Sequence, residues 1–139
     1  MRRVRRALIG GREVQVFKSH LDDRYRGRFE VSSHDGSGLE ALPVSASVEL
    51  AEKVDPRAHV VAIDEAQFLD DGIIPVVNDL ADRGVRVILS GTDMDFRGMP
   101  FGPIPGLLAI AEQVDKLHAI CVRCGELATR NQRLLDGLP

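Results

Sequence analysis

Polar and apolar residues alternate over Glu13-Val14-Gln15-Val16-Phe17-Lys18, a spacing that puts successive side chains on opposite faces and predicts a strand. Ahead of it, Val4, Ala7, Leu8 and Ile9 lie among Arg2, Arg3, Arg5 and Arg6 at helical spacing, and Gly10-Gly11 supplies a stop. From His20 to Gly38 apolar residues are sparse, which predicts a long loop. Leu42-Pro43-Val44 is a short strand, and Ser45 to Val54 is an amphipathic helix closed by Asp55-Pro56. The run His59-Val60-Val61-Ala62-Ile63 has no polar alternation, as expected of a parallel strand buried on both faces. Helical spacing returns from Ile73 to Arg83, with Gly84 as the stop, and Val85 to Leu89 is a second buried strand. Ser90 to Pro105, rich in Gly and Pro, is a loop. Leu107 to Val114 is expected as a helix, Lys116 to Cys121 as a strand, and Cys121 to Gly125 as a tight turn. The order of strands and helices is that of an open parallel α/β sheet.

Composition narrows the picture. The chain has 139 residues, 44% of them hydrophobic and 28% charged, which suits a globular domain. Aromatic residues are 4%, with no Trp, so base stacking on an aromatic platform is not expected and no nucleic-acid partner is assigned. The net charge of -3 is uneven: residues 1–30 carry +5 and the remainder -8. The basic front admits an RNA-binding arm or a transit peptide, or simply a helix with solvated arginines. A chain that opens inside such a helix, without a capping residue, looks as if it begins in mid-element. No apolar stretch approaches the roughly 20 residues needed to cross a bilayer. With two cysteines in one C-x-x-C, a cytoplasmic location is expected.

The chemistry is concentrated at strand ends. In an open parallel sheet ligands gather beyond the carboxyl ends of the strands, and Asp64-Glu65 stands where Val60–Ile63 stops. One acid can hold hydrated Mg²⁺ while the other takes a proton from a hydroxyl, the division of labour that phosphoryl transfer requires. A strand running into a solvated turn would carry the same residues. Gln67 and Phe68 offer an amide and a flat apolar face to a planar polar ring, or else a capping amide and a core aromatic. Phe96, within Asp93-Met94-Asp95-Phe96-Arg97-Gly98, either anchors its loop or covers a base, and Arg24 either clamps a phosphate or is solvated. Cys121 and Cys124 are half of a structural zinc site, which takes four ligands; His118 is a poor third, and a redox pair or two buried thiols are the rival readings. No G-x-x-x-x-G-K-[ST] loop occurs, since Lys18, Lys53 and Lys116 follow Phe17, Glu52 and Asp115.

Taken in order, Asp-x-Arg-Tyr at 22–25, Ser-His-Asp-Gly at 33–36, Asp-Glu-Ala-Gln-Phe at 64–68, Asp-Met-Asp-Phe-Arg-Gly at 93–98, Pro-Phe-Gly-Pro at 100–103, Lys-Leu-His-Ala at 116–119 and Cys-x-x-Cys at 121–124 resemble the zinc-containing, cytosolic thymidine kinases of bacteria and animals. The resemblance implies transfer of the ATP γ-phosphate to the 5′-hydroxyl of thymidine or deoxyuridine, with dTTP as feedback inhibitor and a homotetramer as the full-length assembly. It implies that Glu65 is the general base and that Asp64, Glu65, Ala66, Gln67 and Arg24 lie at ATP and Mg²⁺. Gln67, Phe68, Phe96 and Asn131 would then lie at the nucleoside, and Cys121 and Cys124 would be the first zinc pair. The implied fold is a P-loop NTPase-like (RecA-like) parallel core over residues 1–118, followed by the start of a zinc-binding lasso domain over 119–139.

The family has a first strand and a Gly-rich, Lys-bearing loop before the helix that here begins at the front of the chain, and a lasso and second cysteine pair beyond Arg133. Asn131 stands where many members have Thr. The chain is thus expected to correspond to the middle of such an enzyme, with a sheet edge exposed. A non-catalytic remnant that binds nucleoside or a complete subunit, or an interaction module without nucleotide chemistry, are the alternatives. Phosphoryl transfer rests on positioning and charge neutralisation of the phosphates. Residues 1–139 by themselves should therefore show no turnover above a Glu65→Gln control in a radiolabelled-ATP assay; turnover above it refutes this.

Overall fold

The computed structural model describes residues 2–19, 30–32 and 38–130. Its centre is a four-stranded parallel sheet in the order β4 (Leu42–Val44), β1 (Val14–Ser19), β5 (Val60–Asp64), β6 (Arg86–Leu89). Helices cover both faces, as a parallel sheet requires. On one face α1 (Arg2–Ile9) lays Val4 over Val16, Ala41 and Ala62. On the other, Phe17, Val61 and Ile63 form the main core with Leu50 of α2 (Ser47–Lys53), Ile73, Val77 and Leu80 of α3 (Ile73–Asp82) and Leu107 of α4 (Ile104–Ile110). The alternation in β1 explains this division: Val16 and Phe17 are neighbours in sequence and belong to opposite cores.

The helix at the front ends as its sequence predicts. Gly11 has φ of 67°, and the amides of Gly10 and Arg12 donate to the carbonyls of Arg6 and Ala7. The start of α2 is fixed from a distance. Asp70 accepts the Ser47 N–H at 2.8 Å and the Ser47 hydroxyl at 2.6 Å, and it also accepts the Gly72 N–H at 2.9 Å. One carboxylate thereby joins the segment after β5 to the first turn of α2.

Three expectations need correction. The stretch expected as a loop contains strands, since β2 (Glu30–Ser32) pairs antiparallel with β3 (Gly38–Glu40), Val31 opposite Leu39. The last helix begins at Ile104 and ends at Ile110, earlier at both ends than its periodicity suggested, because Pro103 and Pro105 fit the first turn of a helix, where amides have no intrahelical partner. The strand expected over Lys116–Cys121 shrinks to β7 (Ala119–Ile120), paired antiparallel with β8 (Leu127–Ala128) and outside the parallel sheet. Strand periodicity carries no information about the partner, and without one on the main sheet Leu117 is left 88% exposed.

Among the described residues β6 is an outer strand, and its Val87, Ile88 and Leu89 are half-buried. No helix of the described residues is long and apolar enough to cross a membrane.

Two stability outcomes follow from this packing. Phe17 is fully buried between β1, β5 and the helices, so Phe17→Ala should cost about 3–5 kcal/mol in urea unfolding. The Ser47 hydroxyl and amide hold the Asp70 carboxyl below its ordinary range. A carboxyl depressed in the folded state contributes stability that is present above its unfolded pKa and lost as pH falls through the folded one. Asp70→Asn should therefore flatten the loss of stability below about pH 4, measured by thermal melts at successive pH values; an unchanged acid limb contradicts this.

Candidate active site

The parallel ladder between β5 and β6 continues past the ends of both strands. The Ser90 N–H donates to the Ile63 carbonyl at 2.9 Å, and the Ala66 N–H donates to the Ser90 carbonyl at 3.0 Å. Between these bonds the chain must turn, and Glu65 takes up the turn with φ 57° and ψ 40°, the one non-glycine with positive φ among the described residues. An L-residue in that region carries about 1–2 kcal/mol of strain. Here the surrounding bonds hold it in place, a situation that recurs at functional sites. A 3-10 turn, Ala66–Phe68, follows directly.

Both acids are tied to the segment after β6. The Ser90 hydroxyl donates to Asp64 Oδ1 at 2.6 Å. Gln67 Nε2 donates to Glu65 Oε2 at 2.5 Å, and the Thr92 N–H donates to Gln67 Oε1 at 3.1 Å. Gln67 is 4% exposed, so its amide is committed within the protein as a bridge between Glu65 and Thr92. Its surroundings leave little slack. A Cβ on Gly102, whose φ is 49°, would stand 2.3 Å from the Gln67 carbonyl oxygen, and one on Gly91 would stand 2.7 Å from the Gln67 amide oxygen.

The aromatic residues divide between two loops. Phe68, 37% exposed, meets Phe101 edge-on with ring centroids 5.4 Å apart. Phe96, 49% exposed, sits on a compact loop with the Arg97 guanidinium 5.6 Å from its ring centre. Asp95 organises that loop from inside, accepting the N–H groups of Arg97 and Met99 at 2.8 and 3.0 Å and pairing with the Arg97 guanidinium at 2.7 Å. The Met99 amide and the Arg97 side chain hold its carboxyl below the ordinary range. Lys116 reaches Asp93 at 2.7 Å, and the Arg130 guanidinium lies over Gly98. The segments on either side of the β7–β8 hairpin thus contact the Phe96 loop.

At the tip of that hairpin Cys121 is half-buried and Cys124 exposed, both as thiols. The amides of Cys124 and Arg123 point at the Cys121 sulfur and hold its thiol below the ordinary range. This arrangement suits a thiolate and supplies two metal ligands; no cluster of three or more His, Cys, Asp or Glu occurs among the described residues. The cysteine pair therefore fits half a zinc site.

The structure brings together Asp64, Glu65, Ala66, Gln67 and Phe68, and it places Phe96 on a neighbouring strand-end loop. Arg24 and Asn131 lie outside the described residues, as do the motifs at 22–25 and 33–36. Sequence reasoning missed Ser90, Phe101 and Arg130. Phe101 was within reach, since it lies in the quoted Pro-Phe-Gly-Pro; Ser90 and Arg130 carry no local signal and become visible only through pairing across the fold.

A model of the thymidine kinase family matches residues 1–137. The chain belongs to the thymidine kinase family. By family it is a nucleoside kinase, a transferase of nucleotide salvage, and its parallel α/β sheet is consistent with that.

Gln67→Leu keeps the volume of the side chain but leaves the Thr92 amide and one Glu65 oxygen without their partner, so it should cost about 1–3 kcal/mol in denaturant unfolding. Gly102→Ala should cost more than an exposed Gly→Ala change because the added methyl meets backbone at a position of positive φ. Neutral behaviour of both variants contradicts the tight geometry around Gln67.

Proposed function

We propose that the chain is the acid-pair-bearing part of a kinase that transfers the γ-phosphate of ATP to the 5′-hydroxyl of thymidine or deoxyuridine, in deoxynucleotide salvage, residues 1–139 by themselves being inactive. The observation that carries this reading is the adjacent acid pair at the carboxyl end of β5, held from β6 through Ser90 and through Gln67, inside the matched family region. Glu65 accepts the proton of the 5′-hydroxyl as that oxygen bonds to the γ-phosphorus, while the bond to the bridging oxygen breaks and ADP leaves. Bound Mg²⁺ would offset phosphate charge, and Asp64 would hold it through water. Ala66 and Gln67 keep Glu65 in place, the amide by its bond to the carboxylate.

The Phe68–Phe101 pair forms an apolar wall for the base, and Phe96 packs on the thymine ring from its own loop. Arg24 is assigned to the phosphates and Asn131 to the nucleoside on the strength of the family motifs alone. Cys121 and Cys124 would hold structural Zn²⁺ together with two further ligands. In the same reading dTTP is a feedback inhibitor, the full-length assembly is a homotetramer, the core is P-loop NTPase-like, and the location is cytoplasmic.

Calorimetric titration of residues 1–139 with thymidine tests the base site without requiring turnover. Phe68→Ala should weaken binding by about 1–3 kcal/mol, the usual worth of a base–aromatic contact. Glu65→Gln should leave thymidine affinity nearly unchanged, since the general base acts on the hydroxyl proton and not on the base. Thymidine binding indifferent to Phe68, or none at all, counts against the reading.

A further inference from the structure

Lys18 stands at the carboxyl end of β1, in register with Asp64 on β5. Partners on adjacent parallel strands share a face of the sheet, and Val16 and Ala62, one step back on the same strands, belong to the core under α1. Lys18 and Asp64 are therefore neighbours on the α1 side, at the edge where the acid pair sits. Lys18 is half-buried, and it has no hydrogen-bonding or ion-pair partner among the described residues. The other two lysines behave differently: Lys53 pairs with Glu49 at 2.6 Å and Lys116 with Asp93 at 2.7 Å.

A partly desolvated ammonium without a counter-charge is unfavourable unless an anion or water completes its shell. The next residue adds an independent sign. Ser19 is 7% exposed and its buried hydroxyl has no hydrogen-bond partner, the sole such buried side-chain atom among the described residues. Buried hydroxyls are nearly always hydrogen-bonded. Among the described residues, the end of β1 thus carries a cation without a partner on one face of the sheet and a hydroxyl without a partner on the other, beside the acid pair. Residues 1–139 contain no lysine in a Gly-rich phosphate loop, so this position is not duplicated by that motif within them.

We propose that Lys18 is a phosphate-binding residue, its ammonium meeting phosphate oxygens of the nucleotide bound beside Asp64. The assignment rests on the kinase reading for the identity of the ligand, and on register and burial for the site. It places a cation one strand from the acid pair, where phosphate charge has to be offset.

The test uses the 139-residue chain, with ADP in Mg²⁺, inorganic pyrophosphate and thymidine as separate titrants. Lys18→Met keeps the apolar stem and removes the charge. It should weaken ADP and pyrophosphate about tenfold or more, the scale of a hydrogen bond to a charged group, and leave thymidine affinity unchanged. Lys18→Arg should restore most of the loss; if Lys18→Met does not fold, Lys18→Gln carries the same comparison. ADP and pyrophosphate binding indifferent to Lys18 overturns the proposal, as does a chain that binds thymidine and neither phosphate ligand; both leave the kinase reading standing. Pyrophosphate binding that needs Lys18 in a chain that does not bind thymidine upholds the phosphate site and removes the kinase reading.

Discussion

Two backbone hydrogen bonds at the carboxyl ends of β5 and β6, Ser90 N–H to the Ile63 carbonyl and Ala66 N–H to the Ser90 carbonyl, decide where the acid pair lies. They extend a parallel ladder into what would otherwise be two independent loops. Because Ala66 is anchored to the neighbouring strand, Glu65 must bend the chain within a single residue, and it does so in the left-handed region. The Ser90 and Gln67 side chains then have fixed targets in Asp64 and Glu65. Strain at one residue and order at its neighbours are therefore two aspects of the same constraint.

That constraint depends in turn on burial further down the strands. Val60, Val61, Ala62 and Ile63 are all buried, and the register of β5 against β1 and β6 is set by apolar contacts on both faces. A slip of one residue would move Ile63 out of the main core and put Asp64 into it. The carboxylates stay at the edge because the apolar run ends where the sheet does. On the far side of β5, the Asp70 bonds to Ser47 secure the segment that follows the 3-10 turn, so the chain on both sides of Glu65 is held.

Much of this was legible in the residues themselves. The β-branched run before Asp64 announced a buried strand, and the spacing from Ile73 to Arg83 announced α3, because in both cases burial imposes the period directly. The acid pair was legible for the same reason: it marks the point where burial stops. The strand expected at Lys116–Cys121 failed on partnership, since alternation describes a strand's faces and says nothing about its neighbour. The β2–β3 pair was hidden because strands as short as Glu30–Ser32 contain too few residues to display a period. Within the site, the bridge made by Gln67 was invisible to a local reading. Its amide offered the right chemistry for a base, yet its partners, Glu65 and Thr92, come together only when β5 and β6 pair.

The extension of the β5–β6 ladder is most directly tested by native-state hydrogen exchange at the Ala66 and Ser90 amides. If the ladder holds the acid pair, both amides exchange as slowly as those of Val61 and Ile63 in the strand interior, through the same cooperative opening. Exchange of Ala66 and Ser90 at the rate of exposed loop amides, with the strand interior still protected, would contradict it.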